Sequence, residues 1–325
     1  MNLLEIKEFL GENLERTVAL MQSELRSDIP ILDATNRSLL DHAGKLVRPV
    51  LALLVAGACG TPNADSVRFA AASELLHNAT LLHDDVVDGS AERRGRPTVM
   101  SLLGNPASVL VGDFWLVKCI RCLLAADRYS EPVIRLFAKT LSDLAEGEML
   151  QLQKAGSCDT TEEDYLRIIY CKTASLFEAT CRSAALSVSA PEELATAVTE
   201  YAVRLGTAFQ IRDDMLDYSG GDALGKPVGQ DLREGKITLP LLCALQEVPE
   251  EEALAIRRKV ASIPDDATAE EEVRAFVLAR GGLDGAAVRL DGYIRAAIDA
   301  LAPLPDSREK SYLADMARFV GARMN

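Results

Sequence analysis

The chain has 325 residues, of which 48% are hydrophobic and 26% charged, and its 35 basic and 49 acidic side chains leave a net charge of −14. These values describe a soluble, folded, enzyme-sized body and exclude a disordered or fibrous chain. They also argue against a nucleic-acid partner, since no surface so acidic is built to neutralise phosphates, and any phosphate site must be a local basic cluster.

Apolar residues recur at spacings of three and four while β-branched alternating runs are scarce, so the chain reads as all-α. The first predicted helix, Leu3–Leu25, begins with Glu5, Lys7 and Glu8 where a signal peptide would have an apolar core. Gly44–Cys59 contains the longest apolar stretch, Pro49 to Cys59. That run is far short of the roughly 20 residues a membrane span requires, and the expectation is a cytoplasmic protein with no transmembrane segment. Ala64–Val87 is apolar or small on most of its circumference, the mark of a buried helix, and it runs into Asp84-Asp85-Val86-Val87-Asp88. A loop over Asp88–Pro97 follows. Ala107–Ala126 carries Cys119 and Cys122, a C-x-x-C with no second cysteine pair or histidine to complete a zinc site. The seven scattered cysteines suit a reducing compartment.

Glu131–Lys154 and Glu162–Ser187 are the next helices. Pro191–Leu216 is a second buried helix and leads into Asp213-Asp214-Met215-Leu216-Asp217. A glycine-rich loop, Ser219–Gly235, separates it from shorter helices that run from Thr238 to the C-terminus. With no repeat and no low-complexity linker, residues 1–325 read as a single all-helical domain.

In the first acidic cluster Asp84 and Asp88 are four residues apart and Asp85 and Asp88 three, so the carboxylates share a helix face. They sit at the negative end of the helix dipole, which costs stability. A hard cation offsets that cost and the repulsion among the carboxylates, and magnesium takes one or two carboxylates together with substrate phosphates. The second cluster, Asp213, Asp214 and Asp217, repeats the spacing. One such motif is most simply a solvated acidic helix end. Two copies on the two most apolar helices predict six carboxylates facing one cavity. Arg93 and Arg94 follow the first cluster, and Lys226 and Lys236 follow the second. Arginine binds a diphosphate through its planar fork and lysine as a point charge.

These motifs resemble those of the trans-isoprenyl diphosphate synthases, and more narrowly the long-chain, octaprenyl-type members, over roughly Gly44 to Pro240. The matches are Gly44, Lys45, Arg48 and Pro49; His77; Asp84, Asp85, Asp88, Arg93, Arg94 and Gly95; Lys172 and Thr173; Gly206, Phe209, Gln210, Asp213, Asp214 and Asp217; and Gly225, Lys226, Gly229, Asp231, Gly235, Lys236, Thr238 and Pro240. The resemblance implies the isoprenoid synthase fold, a helical bundle around a deep central cavity, in a homodimer. It implies several Mg2+ ions held by Asp84, Asp85, Asp88, Asp213, Asp214 and Asp217, with Lys172 and Lys236 also catalytic. Lys45, Arg48, His77 and Arg94 would hold isopentenyl diphosphate. Arg93, Lys172, Thr173, Gln210, Lys226 and Lys236 would serve the allylic diphosphate, farnesyl or geranylgeranyl. The product would be a long all-trans polyprenyl diphosphate for quinone side chains. One departure is Leu46, where many relatives are basic.

Product length is expected to depend on the helix before Asp84, where short-chain members carry aromatic side chains. Here Ala79, Thr80 and Ser73 are small, with Leu76 between them. Small residues also permit close helix packing. A short-chain synthase, a terpene cyclase and a non-catalytic partner subunit are the alternatives; the intact second motif with Lys45 and Arg48 counts against the last two.

Overall fold

The computed structural model describes residues 3–42, 44–93, 95–219, 229–266 and 268–322. The chain resolves into two compact units. The first takes Met1–Ala138, Glu178–Thr199 and Leu301–Asp315, and the second Lys139–Phe177, Glu200–Ala300 and Met316–Asn325.

The first unit contains α1 (Leu3–Glu24), α2 (Pro30–Asp41), α3 (Val47–Cys59), α4 (Ala64–Val87), the strands β1 (Glu92–Arg93) and β2 (Arg96–Pro97), α5 (Val99–Leu103), α6 (Asn105–Leu124) and the start of α7 (Ser130–Ser157). Helix α4 is its axis and packs against α1, α3, α5 and α6. The Asn63 side chain accepts the backbone N–H groups of Asp65 and Ser66 at 2.9 and 3.2 Å, while Ser66 Oγ accepts the N–H of Asn63 at 3.1 Å. This reciprocal cap satisfies donors the first turn leaves orphaned. Asp65 in turn accepts the N–H groups of Asp127 and Arg128, both at 3.0 Å, and so fixes the turn after α6.

Two differences from the sequence-based expectation have physical causes. Helix α2 escaped prediction because a buried polar side chain anchors it. Asn36 donates to the Leu25 carbonyl and accepts from Trp115 Nε1, both at 2.8 Å, and this polar anchor interrupts the short apolar face of Leu32, Leu39 and Leu40. Helix α3 begins three residues later than expected, since Gly44 and Leu46 are left-handed with φ of 77° and 54°.

The second unit contains the rest of α7, α8 (Glu162–Ile169), a π-helical turn (Tyr170–Ala174), the opening of α9 (Ser175–Ser187), α10 (Glu192–Ser219) from Glu200 on, α11 (Gln230–Arg233), α12 (Leu239–Gln246), α13 (Glu250–Ser262), α14 (Ala269–Ala279), α15 (Gly282–Ala300) and the end of α16 (Arg308–Ala322). Its axis is α12, buried from Leu239 to Leu245 and packed against α8, α14 and α15. A Cβ at Gly282 would lie 2.3 Å from the Pro240 carbonyl, so glycine sets how closely α15 sits on α12.

The expected helix over Glu162–Ser187 is interrupted by the π turn, a rare element that recurs at functional sites. Glycines flank it. A Cβ at Gly147 on α7 would come within 2.5 Å of Cys171 Cβ, and one at Gly206 on α10 within 2.7 Å of Ala174 Cα. Helix α10 continues to Ser219, which puts the second aspartate cluster inside its last turns. Among the described residues no helix is long and apolar enough to cross a membrane. All seven cysteines are free, and burial pushes the Cys122 thiol up to about 12.

Candidate active site

In the first unit the C-terminal turn of α4 carries Asp84, Asp85 and Asp88. Asp88 caps the helix, its N–H donating to the Asp84 carbonyl at 2.8 Å. Asp84 is half-buried and Asp88 exposed, whereas Asp85 is 4% exposed. The hairpin explains how a buried carboxylate is tolerated. β1 and β2 pair antiparallel with Arg93 opposite Arg96, and Gly95 supplies the left-handed turn at φ 70°. Thr98 closes the loop with its hydroxyl on the Ser90 carbonyl at 2.8 Å. Arg93 Nε is thereby carried to 2.8 Å from Asp85 Oδ1. Arg94 lies outside the described residues.

His83, next to the motif, points sideways at α6, 3.2 Å from Asp113 Oδ1 and 3.3 Å from the Val109 carbonyl. Its ring occupies the space a Cβ at Gly112 would need. Lys45 is exposed beside the left-handed Leu46, Arg48 is half-buried in the first turn of α3, and His77 is half-buried on α4. Ser73, Leu76 and Ala79 are fully buried and Thr80 half-buried. The Ala79 carbonyl would lie 3.2 Å from a Cβ at Gly112, so α4 and α6 are in close contact at this level.

In the second unit a cavity of about 120 Å³ collects Lys172, Gln210, Asp214 and Lys236. It also brings in Tyr165, Asp231, Gln151 and Lys154, to which the sequence assigned no role. Asp214 is 5% exposed and has a donor on each oxygen: Tyr165 Oη donates to Oδ2 at 2.7 Å and Gln210 Nε2 to Oδ1 at 2.8 Å. Thr173 Oγ1 donates to Gln210 Oε1 at 2.7 Å. Lys172 Nζ pairs with Glu148 Oε2 at 2.5 Å, and Lys236 pairs with Glu234. Asp217 is turned to the start of α11, where it accepts the N–H groups of Gln230 and Asp231 at 3.0 and 3.1 Å. Gly225 and Lys226 lie outside the described residues.

Three lysines, Lys154, Lys172 and Lys236, line this cavity beside Asp214 and Asp231. Burial, and then the neighbouring Asp231, hold the Asp214 carboxyl well above its usual range. Burial and the nearby Asp217 push Asp231 up to about 7. Carboxylates desolvated this close together resist ionising together, and a cation relieves them. No group of three acidic, histidine or cysteine side chains among the described residues gathers to hold an ion by itself. The oxygen donors present, with lysines beside them, suit a hard divalent cation that takes few protein ligands and completes its shell with water and substrate phosphate.

Part of the cavity's polar wall was legible as spacing. Gln151 and Lys154 are three residues apart on α7 and share one face with Glu148. Tyr165 gave no signal, because a tyrosine among isoleucines reads as core.

The polyprenyl synthetase family model matches residues 29–277. An octaprenyl diphosphate synthase from Haemophilus influenzae is 38% identical over 318 residues, which cover 98% of this chain and 96% of that protein. The solved decaprenyl diphosphate synthase of Rhodobacter capsulatus superimposes with a TM-score of 0.93 at 36% identity over the whole of both chains. A polyprenyl synthase from Caulobacter crescentus, complexed with calcium and isoprenyl diphosphate, does so at 0.91 and 33% identity, covering 100% of this chain and 98% of that one. The chain belongs to the polyprenyl synthetase family, the all-helical trans-prenyltransferases whose motifs it resembles.

Proposed function

We propose that the chain condenses an allylic diphosphate, farnesyl or geranylgeranyl, with successive molecules of isopentenyl diphosphate, using Mg2+, to build a long all-trans polyprenyl diphosphate for quinone side chains. The observation that carries this reading is the cavity in which Lys172 and Lys236 stand among Asp214 and Asp231. Lysines beside desolvated carboxylates suit a diphosphate bridged to them by a divalent ion. Asp84, Asp85, Asp88, Asp213, Asp214 and Asp217 are the carboxylates that would hold the metal, although Asp217 also orders the start of α11.

Bound Mg2+ would supply positive charge against the departing diphosphate. The chain's own residues do the rest. Lys172 and Lys236, with Lys226 and Arg93, add fixed positive charge where negative charge grows in the transition state. Lys45, Arg48, His77 and Arg94 hold the second diphosphate, and fixing both substrates removes the entropic cost of their encounter. The allylic cation must be kept from water, which would quench it. The isopentenyl double bond attacks that cation, and the proton lost from the new carbon skeleton passes to the released diphosphate.

We read 1–325 as one catalytic domain, because the relatives match over the full length of the chain. Ser73, Leu76, Ala79 and Thr80 are read as the wall that sets product length. The expected outcome is a shorter product from Ala79→Phe on thin-layer analysis; an unchanged length removes Ala79 from the wall and leaves it a packing residue between α4 and α6. We also infer a cytoplasmic homodimer. Supporting the dimer, Leu110, Val117 and Leu124 on α6 are 68, 53 and 62% exposed and recur every seven residues, the spacing that lets a helix seat against a copy of itself. The condensation itself is tested by incorporation of labelled isopentenyl diphosphate with and without EDTA, and incorporation that survives EDTA contradicts the metal reading.

A further inference from the structure

The polar network around Asp214 has a member that no motif contains. Tyr165 is 3% exposed, and its hydroxyl lies 2.7 Å from Asp214 Oδ2. Several contacts fix where it stands. Thr161 and Asp164 cap α8 reciprocally, Asp164 Oδ2 accepting the Thr161 N–H and Thr161 Oγ1 accepting the Asp164 N–H, both at 3.1 Å. Lys154 locks Asp164 at 2.9 Å. Arg257 on α13 donates to the carbonyls of Cys158 and Thr160, both at 3.0 Å, and so pins the loop that leads into the helix.

The π turn gives this grip a second point. Tyr165 meets α10 at Asp214, and Thr173 meets it at Gln210, one turn earlier on α10. Each α-helical residue rotates the chain by about 100°, so eight residues of regular helix would set Thr173 roughly 80° round from Tyr165. A π turn absorbs one extra residue, which leaves about seven effective steps and returns the two side chains to within roughly 20° of one face. The glycines at 147 and 206 leave room for that wider turn.

We propose that Tyr165 is a positioning residue which, with Thr173 acting through Gln210, holds both oxygens of Asp214 in the orientation that receives a divalent cation. The inference rests on the metal reading of the second aspartate cluster. An outer partner of this kind fixes the plane of a ligating carboxylate, and losing one typically weakens metal binding. Tyr165→Phe keeps the ring and removes only the donor.

The test measures Mn2+ binding by the electron paramagnetic resonance signal of free Mn2+, on the full chain with inorganic diphosphate present and no turnover. Y165F is expected to raise the Mn2+ dissociation constant by about tenfold, the lower end of the usual range for such partners. In an Asp214→Asn background the same change is expected to have less than about a twofold effect, since residues acting through one group are not additive. A merely structural tyrosine would lower the unfolding midpoint and leave the Mn2+ constant unmoved. That result overturns the proposal, as does an undiminished effect of Y165F in the D214N chain. Should Y165F not fold, Thr173→Val carries the test, with a raised Mn2+ constant expected and an unchanged one overturning the grip. A wild-type chain that takes up no Mn2+ overturns the metal reading itself, and is told apart by the wild-type titration alone.

Discussion

Asp85 and Asp214 hold the same place in their motifs, the second aspartate of Asp-Asp-x-x-Asp, and both are buried. They are stabilised differently. Asp85 has a guanidinium beside it, Arg93 Nε at 2.8 Å, and Asp214 has two neutral donors, Tyr165 and Gln210. A buried carboxylate that loses its partner keeps the full desolvation penalty, so Arg93→Ala should lower the unfolding free energy by about 1–3 kcal/mol. Adding Asp85→Asn to R93A should restore part of that loss in denaturant titrations. Equal stability of R93A and wild type would mean the pair contributes nothing. The motif spacing made the carboxylates legible as a set, but not which of them is buried, because that depends on Arg93 folding back eight residues along a glycine hairpin. The sequence likewise marked Lys172 and Gln210, and passed over Tyr165 because it shares the buried side of α8 with Ile168 and Ile169 and so reads as core.

At the level of elements, helices α4 and α10 were readable from their apolar circumference, and their ends fell within a few residues of expectation. The π turn was not. Five residues, Tyr-Cys-Lys-Thr-Ala, have no composition that separates a π turn from an α turn. The residues that approach it most closely sit on other helices, Gly147 and Gly206. Gly206→Ala would drive a Cβ to 2.7 Å from the Ala174 backbone, and overpacking of this kind costs about 1–3 kcal/mol. G206A should therefore unfold at lower denaturant and bind the allylic substrate less well, the KM rising as Thr173 and Lys172 shift. If stability and KM both stay at the wild-type level, the π turn does not depend on that close approach. Helix α2 was missed for a related reason: its fold-determining contact is Asn36, a polar residue whose partners, Leu25 and Trp115, are set by tertiary structure.

For the whole molecule, the acidic balance argues against a nucleic-acid partner, and the proposed chemistry lies in local groups of lysine, arginine and aspartate that the net charge of −14 conceals. If the proposed dimer forms through α6, Leu110→Asp should yield a monomer by analytical ultracentrifugation, since a charge placed in an apolar seam is strongly disfavoured. A dimer unchanged by L110D would move the interface off this helix. The central claim is that two aspartate motifs and their basic neighbours ionise an allylic diphosphate in the presence of a divalent cation and extend it with isopentenyl diphosphate. The most direct measurement incubates the pure chain with Mg2+, farnesyl diphosphate and labelled isopentenyl diphosphate, beside Asp84→Ala and Asp213→Ala with their helical circular dichroism verified. The wild type is expected to give a labelled long-chain prenyl product and each variant a loss of orders of magnitude; no product from the wild type, or near-wild-type turnover in either variant, would overturn the proposed chemistry.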